Sequence, residues 1–335
     1  KLIQDQGPMI LGAEKFLRTY QPMLETTSKI AKQYGPLIKK AASLYQTRIS
    51  PIPREKLPGI NLSQYVAQNG YAVPWSRFSE AAWSLEHPAV DALMDKLRSV
   101  GVPLVEFLGE RLSYGIKTGF NDAFLLDDET KTKIVRLEPQ SASLFERYLR
   151  GQDIRRWYPE WAGLWMVLLK SSNDFQWPWA ALSPNEAESA FAREHPVLFK
   201  HFKGYEEKLK ARYDQGKFWW ELRACAYYGL FNLPKVVIQR IAFHSRYSVD
   251  TERTLINDAA ILLPKIDYWS LACLHSPANW YLSFRHFPHK KDEALAMDIP
   301  YVEKLPIAQP TPAIRAEAEQ LVPRLIEITK LNQGA

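Results

Sequence analysis

The sequence predicts an α+β protein: a body of short strands and helices, flanked by an N-terminal helical arm and a C-terminal helix. Three observations predict it. Apolar runs of strand length, at residues 164–169, 236–241 and 259–263, are set among helical stretches. Residues 9–48 carry apolar side chains at helical spacing. The last 25 residues hold an amphipathic run that starts behind a proline, at 312–331.

In the arm, Leu17, Tyr20 and Leu24 are followed by Ile30, Tyr34, Leu37, Ile38, Ala41, Leu44 and Tyr45. Pro8, Pro22 and Pro36 stand 14 residues apart. Proline suits the first turn of a helix, so the arm reads as two or three short helices of about 12 residues each. Residues 1–49 are therefore expected to form a basic helical arm. Residues 50–60, with three prolines and a glycine, are expected to be a linker, with a domain boundary near 60. Residues 61–110 read as a helical connector. Its helix runs from His87 to Val100, places Val90, Leu93, Met94 and Leu97 on one face and stops at Gly101.

The main body is expected over 111–310. Residues 112–116 and 123–126 read as short strands around a glycine-containing turn. Asp127, Asp128 and Glu129 then open a helix, with acids at its positive end. Residues 184–212 read as one long charged helical stretch, and 268–275 and 278–284 as two short apolar helices. The C-terminal helix, within 311–335, uses Ile314, Leu321, Leu325 and Ile328, with Pro323 as an irregularity.

Composition narrows the function classes. The chain has 335 residues, 46% hydrophobic and 24% charged, which fits a protein that buries a core. No apolar run approaches the roughly 20 residues that span a bilayer, and no secretory signal pattern opens the chain. Cys225 and Cys273 read as reduced thiols of a cytoplasmic protein. The first residue is Lys1, so a piece of a longer polypeptide is expected. The net charge of +6 is carried by residues 1–60, while residues 61–335 hold 33 basic and 33 acidic side chains. The body is therefore not a generally basic, sequence-blind nucleic-acid clamp; contacts to nucleic acid must be local.

Several chemistries lack their motifs. No Gly-x-Gly-x-x-Gly follows a strand, and there is no Pro-Pro dipeptide, so neither the cofactor loop of an S-adenosylmethionine enzyme nor the Asn/Asp-Pro-Pro-aromatic motif of amino methylation is found. A Gly-Lys-Ser/Thr phosphate loop and the Cys-x-x-Cys and His-Glu-x-x-His zinc patterns are also missing. His286 and His289 sit three apart without a third ligand nearby and read as a solvated turn. Glu206-Glu207-Lys208 fits the end of a nuclease motif by letter but lies in a run that reads as a charged helix face.

Candidate binding residues cluster in three places. Gly115 and Gly119 bracket a tight loop with Lys117 and Thr118 at its tip and Asn121 just beyond. Such a loop offers backbone N–H groups, a cation and a hydroxyl to an anion such as a DNA phosphate; an exposed glycine hairpin is the plainer alternative. Arg155, Arg156 and Trp157 form a basic-aromatic cluster suited to phosphate or stacking contact, or to a surface cap. Gln239, Arg240, Arg246, Tyr247 and Arg253 lie with His244 on or beside the 236–241 strand and the loop after it, a sensible place for base readout. Arg253 has Asp250 and Glu252 as alternative partners. Trp219-Trp220 and Trp177-Pro178-Trp179 read foremost as core, with a stacking groove as the alternative.

The stretch Tyr114-Gly115-Ile116-Lys117-Thr118-Gly119-Phe120-Asn121-Asp122-Ala123-Phe124 resembles the opening block of the TaqI-like C-terminal specificity domain. Before it come Trp83-Ser84-Leu85 and Gly101-Val102-Pro103-Leu104. After it come Leu149-Arg150-Gly151-Gln152-Asp153-Ile154-Arg155-Arg156-Trp157, then Glu221-Leu222-Arg223-Ala224-Cys225-Ala226-Tyr227-Tyr228 and Pro234-Lys235-Val236-Val237. Leu271-Ala272-Cys273-Leu274-His275-Ser276-Pro277 resembles a helix–turn of specificity subunits, and Lys304-Leu305-Pro306-Ile307 completes the order. The resemblance spans roughly 62–330. It implies a mixed α/β target recognition domain of a bacterial adenine-specific DNA methyltransferase or fused type II restriction-modification enzyme. It further implies double-stranded DNA as partner, a methyltransferase domain or subunit beside it, no cofactor in this chain, and S-adenosylmethionine in the separate catalytic domain. A stand-alone specificity or adaptor subunit is the alternative. The arm departs from the family's pattern.

Overall fold

Two four-stranded sheets carry the body of the protein. A computed structural model describes residues 46–74 and 85–332, which fall into two units dividing between Asp95 and Lys96. The arm up to residue 45 lies outside the described residues.

In the first unit, Gln46–Ile49 is a strand rather than the end of a helix. It pairs antiparallel with Tyr71–Pro74, from Gln46 opposite Pro74 to Ile49 opposite Tyr71. The β-branched Thr47 and Ile49 and a strand partner outweigh the helical spacing before them. Residues 50–60 run without regular structure apart from one 3-10 turn at Arg54–Lys56. The helix Leu62–Asn69 starts where the Asn61 side chain accepts from the Gln64 N–H, at 3.1 Å. The helix Pro88–Ser99, with proline in its first turn, follows the predicted span closely.

In the second unit, one sheet has the order Tyr247–Asp250, Lys235–Gln239, Ala260–Leu263, Ser113–Tyr114, all antiparallel. The other has the order Leu255–Ile256, Phe145–Leu149, Leu164–Val167, Leu125–Asp127, with only the first pair parallel. The strands 235–239 and 260–263 are apolar almost throughout and buried, as continuous apolar runs should be.

The glycine-containing segment is not a hairpin. Ser113–Tyr114 ends one sheet, Asn121–Phe124 is a single helical turn, and Leu125–Asp127 ends the other sheet. The loop between them crosses from sheet to sheet because Ala123 and Phe124 are pulled into the core. The following helix Asp128–Leu137 begins as predicted, with the Asp127 carboxylate accepting from the Thr130 N–H at 2.7 Å.

Residues 184–212 form three helices, Pro184–Glu194, Pro196–Lys203 and Glu206–Lys210, not one. Pro196 and Gly204 divide them. Their buried faces meet an aromatic core in which Trp177 stacks on Trp179 and Phe218 on Trp220, each pair with centroids 5.0 Å apart. The four tryptophans are thus packing residues. Glu206 is bound to Lys203 at 2.9 Å and Lys210 at 2.7 Å, an ordinary helix face rather than a nuclease motif.

The ends of the second unit are joined. Gly101–Pro103 pairs antiparallel with Pro306–Ala308. The helix Pro312–Leu331, capped by Thr311, lies on the helix Tyr268–Leu274 through Ala318 and Val322, and Arg315 reaches Asp267 at 2.8 Å. Cys225 and Cys273 are free thiols. No described helix is long and apolar enough to cross a membrane.

Candidate nucleic-acid interface

A cleft of about 300 Å³ opens between residues drawn from both sheets. Leu125 and Tyr148 come from one sheet, and Arg150, Gly151 and Gln152 from the turn that leaves it. Gln239 and Ala259 come from strand ends of the other, Ile241 from a short strand paired with Leu295–Ala296, Asn121 from the helical turn Asn121–Phe124 and Asn257 from a connecting loop. The cleft is thus framed by strand ends and by the turns immediately after them, a rigid support for polar side chains.

The loop of residues 115–120 is fixed from behind. A Cβ at Gly115 would collide with the Asn257 carbonyl, so this backbone approach admits only glycine. Gly119 has φ +71°, the left-handed region. Arg212, only 6% exposed, donates from Nη1 to the Thr118 carbonyl at 2.6 Å and from Nη2 to the Trp219 and Glu221 carbonyls at 2.7 Å each. Burial lowers its pKa to about 10. It is a clamp for the loop, not part of a solvated helix face. Tyr213 beside it is 98% exposed.

The predicted residues fall into three groups. Asn121 and Gln239 line the cleft together. Thr118 is 3% exposed, and its hydroxyl donates to Asn121 Oδ1 at 2.6 Å. It positions Asn121 and offers nothing to a phosphate. Gln239 Oε1 accepts from Arg246 Nη1 at 3.1 Å, which brings Arg246 to the cleft edge.

A second group is tied to protein partners. Lys117 pairs with Asp214 at 2.8 Å; the lysine holds the Asp214 carboxyl below its usual range. Arg155 binds Glu160 at 3.0 Å and the Gln152 carbonyl at 2.6 Å. Arg240 grips Asp298 at 2.6 Å and the Asp258 carbonyl at 2.8 Å. Lys117 and Arg155 remain exposed on their outer sides and are half-engaged cations, not unpaired ones.

The third group stands apart. Tyr247 is 1% exposed and packs edge-on against His275, so it is a core residue and not a reading residue. The sequence sets it beside the 236–241 strand or in the loop after it, but it opens the strand Tyr247–Asp250, which is buried throughout. Arg156 is exposed beside Trp157. Arg253 is exposed, has φ +59°, and makes no hydrogen bond or ion pair to a described residue; Asp250 and Glu252 are engaged elsewhere. Asp250 accepts from the Glu252 and Thr254 N–H groups and holds the turn that presents Arg253. It also pairs with the equally buried Lys235 at 2.5 Å. That pair explains the lysine that follows Pro234 in an apolar strand.

Sequence reasoning passed over four residues. Arg150 binds Asp153 through Nε at 3.0 Å and Nη2 at 2.9 Å. With the Gln152 carboxamide oriented by its hydrogen-bonding surroundings, its oxygen accepts from Arg150 Nη1 at 3.1 Å and Nη2 at 3.0 Å. Asn257 lines the cleft with its buried Oδ1 unpartnered. The local signal for the first two was the Arg–x–x–Asp spacing inside a block already singled out; Asn257 and Arg212 carried none. Among the described residues no His, Cys, Asp and Glu group could hold a metal ion. His289 instead pairs with Glu293.

The arrangement presents amides and guanidinium groups, not an acid, base or nucleophile pair, to a concave surface. The chain matches no protein-family model and no curated protein. It is similar in fold to the type IIL restriction-modification enzyme MmeI in its complex with DNA, at 13% identity and a TM-score of 0.48, over 79% of this chain and 33% of that one. It is also similar to the type IIG restriction endonuclease BpuSI, at 11% identity and a TM-score of 0.41, over 70% of this chain and 28% of that one. The chain spans a third or less of the length of these structures.

Proposed function

We propose that the second unit is a sequence-specific DNA-recognition module serving an adenine-specific DNA methyltransferase or a restriction-modification enzyme, with the chemistry and S-adenosylmethionine on a separate domain. One observation carries the reading: a cleft lined by four carboxamides and an arginine, with Asn121, Gln239 and Arg150 held by protein partners. Carboxamides and guanidinium groups are what reads base edges in the major groove. The ordered sequence blocks support it, because two of them, around Gly115 and around Arg150, supply part of the cleft lining: Asn121, Arg150, Gly151 and Gln152. Exposed Arg156 and Arg253, with the outer faces of Lys117 and Arg155, would set register on phosphates.

The test is a selection from a random-sequence duplex library with the full chain at low salt. A defined motif is expected to emerge. Recovery of random sequence overturns the reading.

A second reading, an adaptor subunit for a separate methyltransferase, is favoured by exposed Leu321, Leu325 and Ile328 on the C-terminal helix. Coding sequence upstream of Lys1 separates the two. A continuous frame with an Asn-Pro-Pro-Tyr-type motif supports the fused module, and a separate start codon supports the adaptor.

A further inference from the structure

We infer that the cleft reads guanine, through hydrogen-bond donors alone; this rests on the DNA-recognition reading above. Three of the cleft's amide oxygens are already engaged within the protein. Asn121 Oδ1 accepts from the Thr118 hydroxyl at 2.6 Å. Gln239 Oε1 accepts from Arg246 Nη1 at 3.1 Å. The Gln152 oxygen, in the orientation its surroundings assign, accepts from Arg150 at 3.1 and 3.0 Å. Three carboxamides thus turn their oxygens to internal donors, and their amino groups make no hydrogen bond to a described residue. Each oxygen has spent a lone pair on an internal donor and is oriented towards it, so the amino group is the part of each carboxamide left wholly free for a base.

That orientation decides which base fits. A carboxamide reads adenine by donating to N7 while accepting from N6, and it needs its oxygen for the second bond. Guanine shows two adjacent acceptors in the major groove, O6 and N7, and takes two donors. Cytosine shows an amino donor there and needs a carboxylate or a spare oxygen. No Asp or Glu is among the described residues that line the cleft. The Arg150 charge is cancelled by Asp153, so the site offers directed donors with little net charge to capture a phosphate. Asn257 Oδ1 is an unpartnered acceptor, and it is buried. Leu125 and Ile241 give the cleft apolar sides against a base plane. The guanidinium groups of Arg150 and Arg246 act as positioning groups, and Asn121, Gln152 and Gln239 as the reading groups.

The experiment uses the full chain and the motif obtained by duplex selection. Each guanine in it is replaced singly by 7-deazaguanine, which removes the N7 acceptor and leaves pairing intact. At one guanine this is expected to weaken binding about tenfold, while inosine there, which keeps O6 and N7, is tolerated. In a repeated selection, Gln239→Glu is expected to move that position from guanine towards cytosine, and thermal melting of the variant shows whether it is folded. A motif without guanine, or one indifferent to 7-deazaguanine throughout, overturns this inference and leaves DNA recognition standing. Recovery of random sequence overturns both. The modified duplexes decide the matter even if the variant does not fold.

Discussion

Side chains that look alike in the sequence do different work in the structure. Asn121 and Gln239 face the cleft, while Thr118 and Tyr247, equally eligible by position, are buried. Replacing Asn121 or Gln239 with Ala is therefore expected to lower preference for the selected duplex about tenfold each, the cost of one lost base contact, with the melting temperature nearly unchanged. Fluorescence anisotropy on selected and scrambled duplexes measures this. Arg212→Met removes a buried cation from the Thr118, Trp219 and Glu221 carbonyls. It is expected to cost about 2–4 kcal/mol in urea unfolding, since the acceptors stay buried and unpaired. His275 supplies a pH dependence. Burial lowers its pKa to about 3, and its Nε2 donates to the Tyr247 carbonyl at 2.9 Å. Between pH 6.5 and 3 the unfolded chain binds a proton at this site that the folded chain does not. Stability from this residue is therefore full above about pH 6.5 and falls on acidification by up to about 1.4 kcal/mol per pH unit. Urea unfolding of the protein and of His275→Asn across this range should show the slope difference; parallel curves would contradict it.

Elements with local punctuation were legible in the sequence. The helix Pro312–Leu331 was, because Thr311 caps it, proline stands in its first turn and apolar residues recur at helical spacing. The buried strands at 235–239 and 260–263 were, because each is built on an apolar run, at 236–238 and 260–263. The loop of residues 115–120 was legible as a tight turn and illegible as a sheet-to-sheet crossing. Its partners Asn257 and Arg212 lie about a hundred residues away or more, and nothing local encodes them. For the same reason half of the cleft was visible: Asn121 and Gln239 stood out by type and place, whereas Lys117 looked unpaired until Asp214 was found beside it. Gly115→Ala belongs to this scale. It forces a Cβ into the Asn257 carbonyl and should both destabilise the protein and abolish duplex preference, while Gly229→Ala, with open space around it, should do neither. Differential scanning fluorimetry beside the binding assay separates these outcomes.

Across the whole molecule the charge pattern limits how DNA can be held. Residues 61–335 are balanced, and Lys117, Arg155 and Arg240 are offset by Asp214, Glu160 and Asp298. Affinity should therefore depend only mildly on salt, with a log–log slope of about −2 to −4, where a basic clamp of ten phosphate contacts would give about −9. The account depends most on whether that modest attraction is joined by base reading in the cleft. The direct measurement is the ratio of affinities of the full chain for its selected duplex and a scrambled one, at about 150 mM salt, repeated with Asn121 and Gln239 both changed to Ala. The account predicts a ratio of about a hundred or more that collapses towards one in the double variant. Equal affinity for the two duplexes, or a ratio that survives the double change, would contradict it.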